Sequence, residues 1–90
     1  MDQLAGFMKR NPEQHASIEG YTDSVGSTVS NQALSDRRAQ SVMAALVQLG
    51  VSGSQLSTQA FGEDRPVAGN DTPAGRQMNR RVEIVLARGR

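Results

Sequence analysis

The sequence predicts a small α/β domain whose helices and strands follow one another as α-β-α-β-α-β. Apolar and polar residues alternate over residues 15–21 and again over residues 82–87, which is typical of half-buried strands. Between them, residues 28–49 keep apolar side chains at helical spacing without a glycine or proline. Ninety residues leave room for one domain only, and a strand–helix–strand unit of this kind joins parallel strands by a right-handed crossover.

The N-terminal part of the chain predicts a short helix, a strand and a turn. The helix covers residues 2–10 and ends at Asn11-Pro12, because the residue before a proline disfavours helical geometry. Its apolar residues fall at helical spacing: Leu4, Phe7 and Met8. The strand runs from His15 to Tyr21, and its apolar side consists of Ala16, Ile18 and Gly20. The segment from Thr22 to Ser27 has the composition of a turn.

A long helix is predicted from Thr28 to Leu49, with Gly50 as the residue that ends it. At about 100° per residue, one face about 120° wide should turn toward the core. That face is apolar in its C-terminal half and polar in its N-terminal half, and comprises Asn31, Leu34, Ser35, Arg38, Val42, Ala45, Leu46 and Leu49. Arg37 falls on the opposite side of the helix, so we expect it in solvent.

The C-terminal part predicts two further strands joined by a long loop and a short helix. The first strand is Leu56 to Phe61, and the loop from Gly62 to Gly75 is rich in Gly, Pro, Asn and Asp. Residues 73–79 can form a short helix. Val82, Ile84 and Leu86 alternate with more exposed positions in a final strand to Ala87, and a tail follows from Arg88.

Composition excludes several kinds of site. The chain has no cysteine, so a disulfide scaffold, a Cys-based zinc site and a cysteine nucleophile are all ruled out. His15 is the single histidine and has no second ligand at metal-binding spacing, and no phosphate-binding glycine motif is present. We therefore expect no metal, no cofactor and no enzymatic activity. The longest apolar centre, Val42 to Val51, is about half the length of a membrane span, and no signal peptide is recognisable.

The charge is unevenly distributed along the chain. Residues 1–36 carry two basic and five acidic side chains, whereas residues 37–90 carry eight arginines and four acidic side chains. Arginine presents a planar fork that suits carboxylate and phosphate, so the C-terminal half predicts an anionic partner. With a net charge of +1 and no aromatic stacking platform, nucleic acid is not the partner that we expect.

Asp23 and Arg38 are the residues most indicative of a binding site. Asp23 lies in the loop after a strand, at the edge of the sheet where α/β proteins usually bind ligands. Arg38 lies on the inward face of the long helix and needs an anionic partner there. Together they suit a zwitterion, since the guanidinium can bind a carboxylate and the carboxylate an ammonium. Two structural alternatives stay open: Asp23 can form an Asx-turn, and Arg38 can pair with a local carboxylate or reach the surface.

Several blocks of the sequence resemble the OmpA-like domain, the peptidoglycan-binding module of OmpA porins, Pal lipoproteins and MotB-type stators. The resemblance covers residues 16–86, within a single domain spanning residues 1–90, and the blocks occur in the family's order. They are Ile18 to Asp23, Gly26-Ser27, Asn31, Leu34 to Val42, Phe61 to Glu63, Pro66, Asn70 to Thr72 and Asn79 to Glu83.

The resemblance implies a function and a set of site residues. It implies an α/β two-layer sandwich of β-α-β-α-β-β type that binds the meso-diaminopimelate of the peptidoglycan stem peptide. The family's aspartate and arginine fall on Asp23 and Arg38, and further pocket positions match Asn31, Thr22 and Arg81. For Arg80 we expect a structural salt bridge. The implied setting is the periplasmic side of the bacterial outer membrane, where the domain anchors a parent protein to the cell wall without itself contacting the membrane.

The chain departs from the family pattern at two places. Tyr21 stands where the family usually has histidine, which leaves the Asp23 and Arg38 pair intact. The family's first strand is missing, so the final strand becomes an open edge, and we expect destabilisation or a homodimer through it. The alternative function is a protein–protein docking module that uses the arginine-rich surface. The sequence does not distinguish a porin, a lipoprotein or a motor stator as the parent.

Overall fold

The computed structural model describes residues 1–88 and contains the predicted elements in the predicted order. The helices are α1 (Asp2–Arg10), α2 (Thr28–Gln48) and α3 (Pro73–Asn79), and the strands are β1 (Gln14–Tyr21), β2 (Leu56–Gly62) and β3 (Val82–Arg88). One 3₁₀ turn, Gly53–Gln55, precedes β2 and was not predicted. The element bounds differ from the predicted ones by one residue at most, and the end of the expected tail, residues 89–90, lies outside the described part.

The three strands form a small mixed sheet in the order β2-β1-β3. β1 pairs with β2 in parallel, as a strand–helix–strand unit requires, and with β3 in antiparallel register. The parallel register shifts between Gly20 and Tyr21, where a bulge ends the regular pairing. Within residues 1–88, β3 is paired on one side only, and Val85 and Leu86 are each more than two-fifths exposed. The expected open edge is therefore present in the described part of the chain.

The core lies between the helices and one face of this sheet. Ala16 and Ile18 of β1 are fully buried, and both α1 and α2 contribute buried residues to the same cluster: Ala5, Met8, Ala39 and Leu46. The α/β sandwich with helices on one face of a small mixed sheet is therefore confirmed. None of the helices in residues 1–88 is long and apolar enough to cross a membrane.

β1 and α2 approach each other closely at Gly20. A Cβ atom on Gly20 would lie 2.1 Å from the backbone oxygen of Ser35, so only glycine allows this approach. The Ser35 hydroxyl is fully buried there, donates to the Gln32 carbonyl and accepts from the Gly62 backbone N–H. This single serine therefore ties α2 to the end of β2, beside the loop that follows β1.

α2 ends as the sequence predicts. Gly50 has φ +100°, the left-handed conformation that favours glycine after a helix, and its N–H donates to the Val47 carbonyl.

Candidate functional site

The candidate site begins in the loop that connects β1 to α2, where the sequence analysis placed it. β1 ends at Tyr21, and Ser27 caps α2 by accepting a hydrogen bond from the Ser30 backbone N–H at 3.0 Å. Gly26 adopts φ +95° between them, a conformation that favours glycine. The loop therefore turns sharply, and Asp23 lies at the carboxyl end of the central strand.

Asp23 is a nearly buried carboxylate with two partners. Its side chain is 10 % exposed; Oδ1 accepts from the Val25 backbone N–H at 3.0 Å, and Oδ2 accepts from Arg80 Nη1 at 2.5 Å. The first bond is the Asx-turn that the sequence left open. Burial favours the protonated acid, but the Arg80 guanidinium and the Val25 N–H outweigh it and lower the pKa of Asp23 below its ordinary 3.8. Asp23 is therefore ionised at neutral pH.

Thr22 and Asn31, two further residues that the resemblance singled out, both hold the backbone of Asp23. Thr22 Oγ1 donates to the Asp23 carbonyl at 3.0 Å, and Asn31 Nδ2 donates to the same oxygen at 3.2 Å. Both side chains belong to buried residues. Because Asn31 is in the first turn of α2, its bond fixes the position of the helix relative to the Asp23 loop.

Arg38 is half-buried at the margin of the inward face of α2, rather than at its centre as the helical wheel suggested. The buried positions of that helix are Asn31, Ser35, Ala39 and Leu46, so the true centre of the face lies closer to Ala39. Arg38 Nη1 donates to the Tyr21 carbonyl at 3.5 Å, a long bond. Among residues 1–88, no carboxylate forms an ion pair with Arg38, and its neighbour Arg37 is exposed as expected.

Arg80 forms the expected salt bridge, but its partner is Asp23 itself. The guanidinium donates Nη1 to the Asp23 carboxylate and Nη2 to the Gln77 side chain, and the Arg80 side chain is 35 % exposed. The two charged residues are 57 positions apart in the sequence. The structure thus brings Asp23 into contact with Arg80, whereas Arg38 contacts the backbone of the adjoining Tyr21.

Two asparagines that the sequence analysis gave no separate role organise the other side of the Asp23 loop. Asn79 is fully buried; its Oδ1 accepts from the N–H groups of Val67 and Ala68, and its Nδ2 donates to the Ala68 carbonyl and to Asn70 Oδ1. Asn70 Oδ1 in turn accepts from the Ser24 backbone N–H at 3.3 Å. This chain of bonds joins the loop after β2 to the loop that holds Asp23.

Arg81 lies against an aromatic stack. The rings of Tyr21 and Phe61 are stacked with centroids 5.2 Å apart, Arg81 lies 3.8 Å above the Tyr21 ring, and Arg65 lies 4.2 Å from the Phe61 ring. Arg81 also donates to the Glu83 carboxylate and to the carbonyls of Asn79 and Arg65. Its guanidinium is therefore already well supplied with partners.

Residues 1–88 contain no group of three His, Cys, Asp or Glu side chains that could hold a metal ion. His15 instead lies with Nε2 3.1 Å from the Ser57 hydroxyl on the neighbouring strand. The described part of the chain therefore offers charges and hydrogen bonds at the site: one nearly buried carboxylate, one half-buried guanidinium that pairs with no carboxylate of residues 1–88, and Arg80 between carboxylate and solvent.

Comparison with known proteins places this geometry in a family. Residues 1–80 match the OmpA family. The chain is 51% identical over 81 residues to outer membrane porin F of Pseudomonas aeruginosa, covering 89% of the chain and 23% of the porin. It is 43% identical over 86 residues to the peptidoglycan-binding protein ArfA of Mycobacterium tuberculosis, covering 96% of the chain and 26% of that protein.

A solved structure shares the fold. The peptidoglycan-associated lipoprotein of Burkholderia pseudomallei superposes with a TM-score of 0.93 at 36% identity, over 96% of this chain and 73% of the lipoprotein chain. The present chain spans about a quarter of the length of the two curated relatives. The match of the family over most of the sequence and the shared fold lead to one conclusion: the chain belongs to the OmpA family.

Proposed function

We propose that this domain binds peptidoglycan non-covalently through the meso-diaminopimelate of the stem peptide. In this proposal the ammonium of the diaminopimelate side chain binds the carboxylate of Asp23, and its carboxylate binds the guanidinium of Arg38. Thr22 and Asn31 hold the Asp23 loop in place by their bonds to its carbonyl. Arg81 supports the wall of the site through its contact with the Tyr21 ring.

The observation that carries the proposal is the state of Arg38. A half-buried guanidinium loses part of its hydration and is stabilised by an anion, yet no carboxylate of residues 1–88 pairs with it. Its one side-chain hydrogen bond within residues 1–88, to the Tyr21 carbonyl, is long at 3.5 Å. An external carboxylate could supply the missing partner bidentately, in the geometry that arginine favours.

The relatives support a role at the cell wall. They include a peptidoglycan-binding protein, a peptidoglycan-associated lipoprotein and an outer membrane porin. The domain is a binding domain rather than an enzyme, and we infer that it works on the periplasmic side of the outer membrane. There it would anchor to the wall a longer parent, which is a porin, a lipoprotein or a motor stator.

Sedimentation with insoluble diaminopimelate-type peptidoglycan tests the proposal. We expect the wild-type domain to sediment with the sacculi, and Arg38→Ala and Asp23→Ala each to remain in the supernatant. Arg37→Ala is the matched control, because its side chain is exposed on the same helix and touches none of the site. Circular dichroism must show that all three variants are folded. Retained binding by folded Asp23→Ala and Arg38→Ala would contradict the assigned site.

Competition with free meso-diaminopimelate separates this function from protein–protein docking. If the diaminopimelate residue is the ligand, the free amino acid releases the domain from sacculi, and lysine, which keeps both ammonium groups but lacks the second carboxylate, does so less well. A docking module that uses the arginine-rich surface would ignore both compounds. It would also bind its partner equally well after Asp23→Ala.

A further inference from the structure

The position of Arg80 raises a question about how any ligand ammonium reaches Asp23. The Asp23 side chain is 10 % exposed, and Oδ2 is in contact with Arg80 Nη1 at 2.5 Å. Its other oxygen already accepts from the Val25 backbone N–H. Each oxygen could accept a second bond, but little of the carboxylate is open to solvent, so an incoming ammonium has to compete with Arg80 for Asp23.

We propose that Arg80 is an internal competitor for the ligand, and that binding exchanges one cation for another on Asp23. This inference rests on the peptidoglycan-binding function proposed above. In the free protein the Arg80 guanidinium occupies the place of the ligand's ammonium. On binding, Arg80 turns outward, the ammonium takes its place, and the ligand's carboxylate binds Arg38.

The surroundings of the two side chains favour this exchange over a fixed salt bridge. Asp23 is nearly buried, so its charge needs a cation beside it at all times. Arg80, by contrast, is 35 % exposed at the C-terminal end of α3, and its second contact is the side chain of Gln77 on the exposed surface of that helix. Arg80 can therefore leave Asp23 for water and still keep Gln77 as a partner, whereas Asp23 cannot follow it.

The charges at the site point the same way. Asp23 is close enough to both Arg80 and Arg76 for their positive charges to lower its pKa, and Arg38 adds a further guanidinium at the adjoining Tyr21 carbonyl. A zwitterion placed beside an unmoved Arg80 would bring an ammonium into a site that already holds more positive than negative charge. If Arg80 moves out, the ammonium meets an uncompensated carboxylate instead.

Exchange makes Arg80 a specificity-determining residue. A ligand that carries only a carboxylate can reach Arg38 but cannot displace Arg80 from Asp23. A ligand with a carboxylate and an ammonium can bind Arg38 and also displace Arg80 from Asp23. Removal of the Arg80 charge should therefore strengthen binding of ligands that contain the ammonium, and leave ligands that lack it nearly unaffected.

Calorimetric titration of four proteins with two probes tests the exchange. The proteins are the wild type, Arg80→Gln, Arg80→Met and Asp23→Asn, and the probes are meso-diaminopimelate and its di-N-acetylated derivative, which keeps the carboxylates. We expect Arg80→Gln and Arg80→Met to bind meso-diaminopimelate about tenfold more tightly than the wild type, since one charge-assisted bond no longer has to be broken. For the acetylated probe we expect no such gain, and for Asp23→Asn we expect binding of meso-diaminopimelate to fall to the level of the acetylated probe.

Melting temperatures with and without ligand show whether the Arg80 variants lose stability in the free state and regain it on binding. Without Arg80, the Asp23 carboxylate is left without its ion-pair partner, so the free variants should melt below the wild type. Saturating meso-diaminopimelate should then raise their melting temperature more than that of the wild type, because the ligand restores a cation to Asp23.

The outcomes separate this inference from the proposed function. If the wild type binds but Arg80→Gln and Arg80→Met bind equally or more weakly, Arg80 is a structural or ligand-contacting residue, and the exchange is wrong while the function stands. An equal gain for the acetylated probe would also refute exchange at the ammonium position. If none of the four proteins binds meso-diaminopimelate, the proposed function fails and the exchange fails with it.

Discussion

Gly20→Ala should destabilise this domain strongly, although it adds a single methyl group. The new methyl group would lie 2.1 Å from the backbone oxygen of Ser35, and backbone cannot rotate away as a side chain can. For the methyl group to reach an ordinary van der Waals distance from that oxygen, α2 must move away from β1 by ~1 Å. A gap of this size removes about a quarter to a half of the van der Waals attraction between the facing atoms of the two elements. We therefore expect a loss of ~3 kcal/mol, at the upper end of the usual range for overpacking.

Urea denaturation followed by circular dichroism measures this loss directly. For a domain of this length, ~3 kcal/mol corresponds to a fall in melting temperature of about 15 °C. Gly53→Ala is the matched control, because a Cβ at that position has nothing within 4 Å and the backbone is not left-handed. We expect that control to melt within a few degrees of the wild type.

The same substitution should weaken peptidoglycan binding, because α2 carries Asn31 and Arg38 to the Asp23 loop. Sedimentation of the folded fraction of Gly20→Ala with sacculi measures this effect. If Gly20→Ala melts with the wild type, the close approach of β1 and α2 is not as described, and the reasoning from it to the site is wrong.

Three further predictions concern other parts of the molecule. Asn79→Ala should cost about 2–3 kcal/mol in a urea melt, because the buried side chain holds the segment at Val67 through four hydrogen bonds, and it should also weaken binding to sacculi. The depressed pKa of Asp23 means that its contribution to stability is present above pH ~4 and is lost as the pH falls through the lowered value. In thermal melts between pH 2 and 6, the stability of Asp23→Asn should therefore fall less with decreasing pH than that of the wild type. Val85→Lys should reduce any self-association through the open edge of β3, measured by sedimentation velocity, and equal association of both proteins would exclude that edge.

Local patterns were sufficient to predict the elements of this fold. The alternation of apolar and polar residues identified β1 and β3. Apolar residues at helical spacing, uninterrupted by glycine or proline, identified α2. Both patterns depend only on which face of an element is buried. Gly50 marked the end of α2 for a similarly local reason, its left-handed conformation. The 3₁₀ turn at Gly53–Gln55 was missed, since a single turn has no period to detect.

The helical wheel misplaced the centre of the buried face of α2. The wheel weighted large apolar residues, but the helix approaches β1 closely through the small residue Ser35 opposite Gly20, and the small residue Ala39 is also fully buried. The large side chains Leu34 and Val42 consequently flank the contact and are only half-buried. Arg38 lies at the margin of the buried face for the same reason, and its side chain is partly exposed to solvent.

The contacts that join distant segments could not be predicted from local patterns. Asp23 as a site residue and a salt bridge for Arg80 are both predictable from the sequence, but nothing in the spacing shows that the two residues meet. The bonds from Asn79 and Asn70 to the neighbouring loops depend in the same way on the complete fold. Pairing across tens of residues is set by topology, which periodicity does not encode.

The stack of Tyr21 on Phe61 gives the domain a built-in optical reporter. Tyr21 is the one tyrosine in a chain without tryptophan, so the ultraviolet emission of the protein comes from a single ring. That ring lies under Arg81, and its hydroxyl donates to Glu19. The backbone carbonyl of Tyr21, two residues before Asp23, accepts a hydrogen bond from Arg38. Burial and the Glu19 carboxylate raise the pKa of Tyr21 above 10.0, so the phenol stays protonated across the physiological range. We therefore expect occupation of the proposed site to change this fluorescence, which needs no attached label.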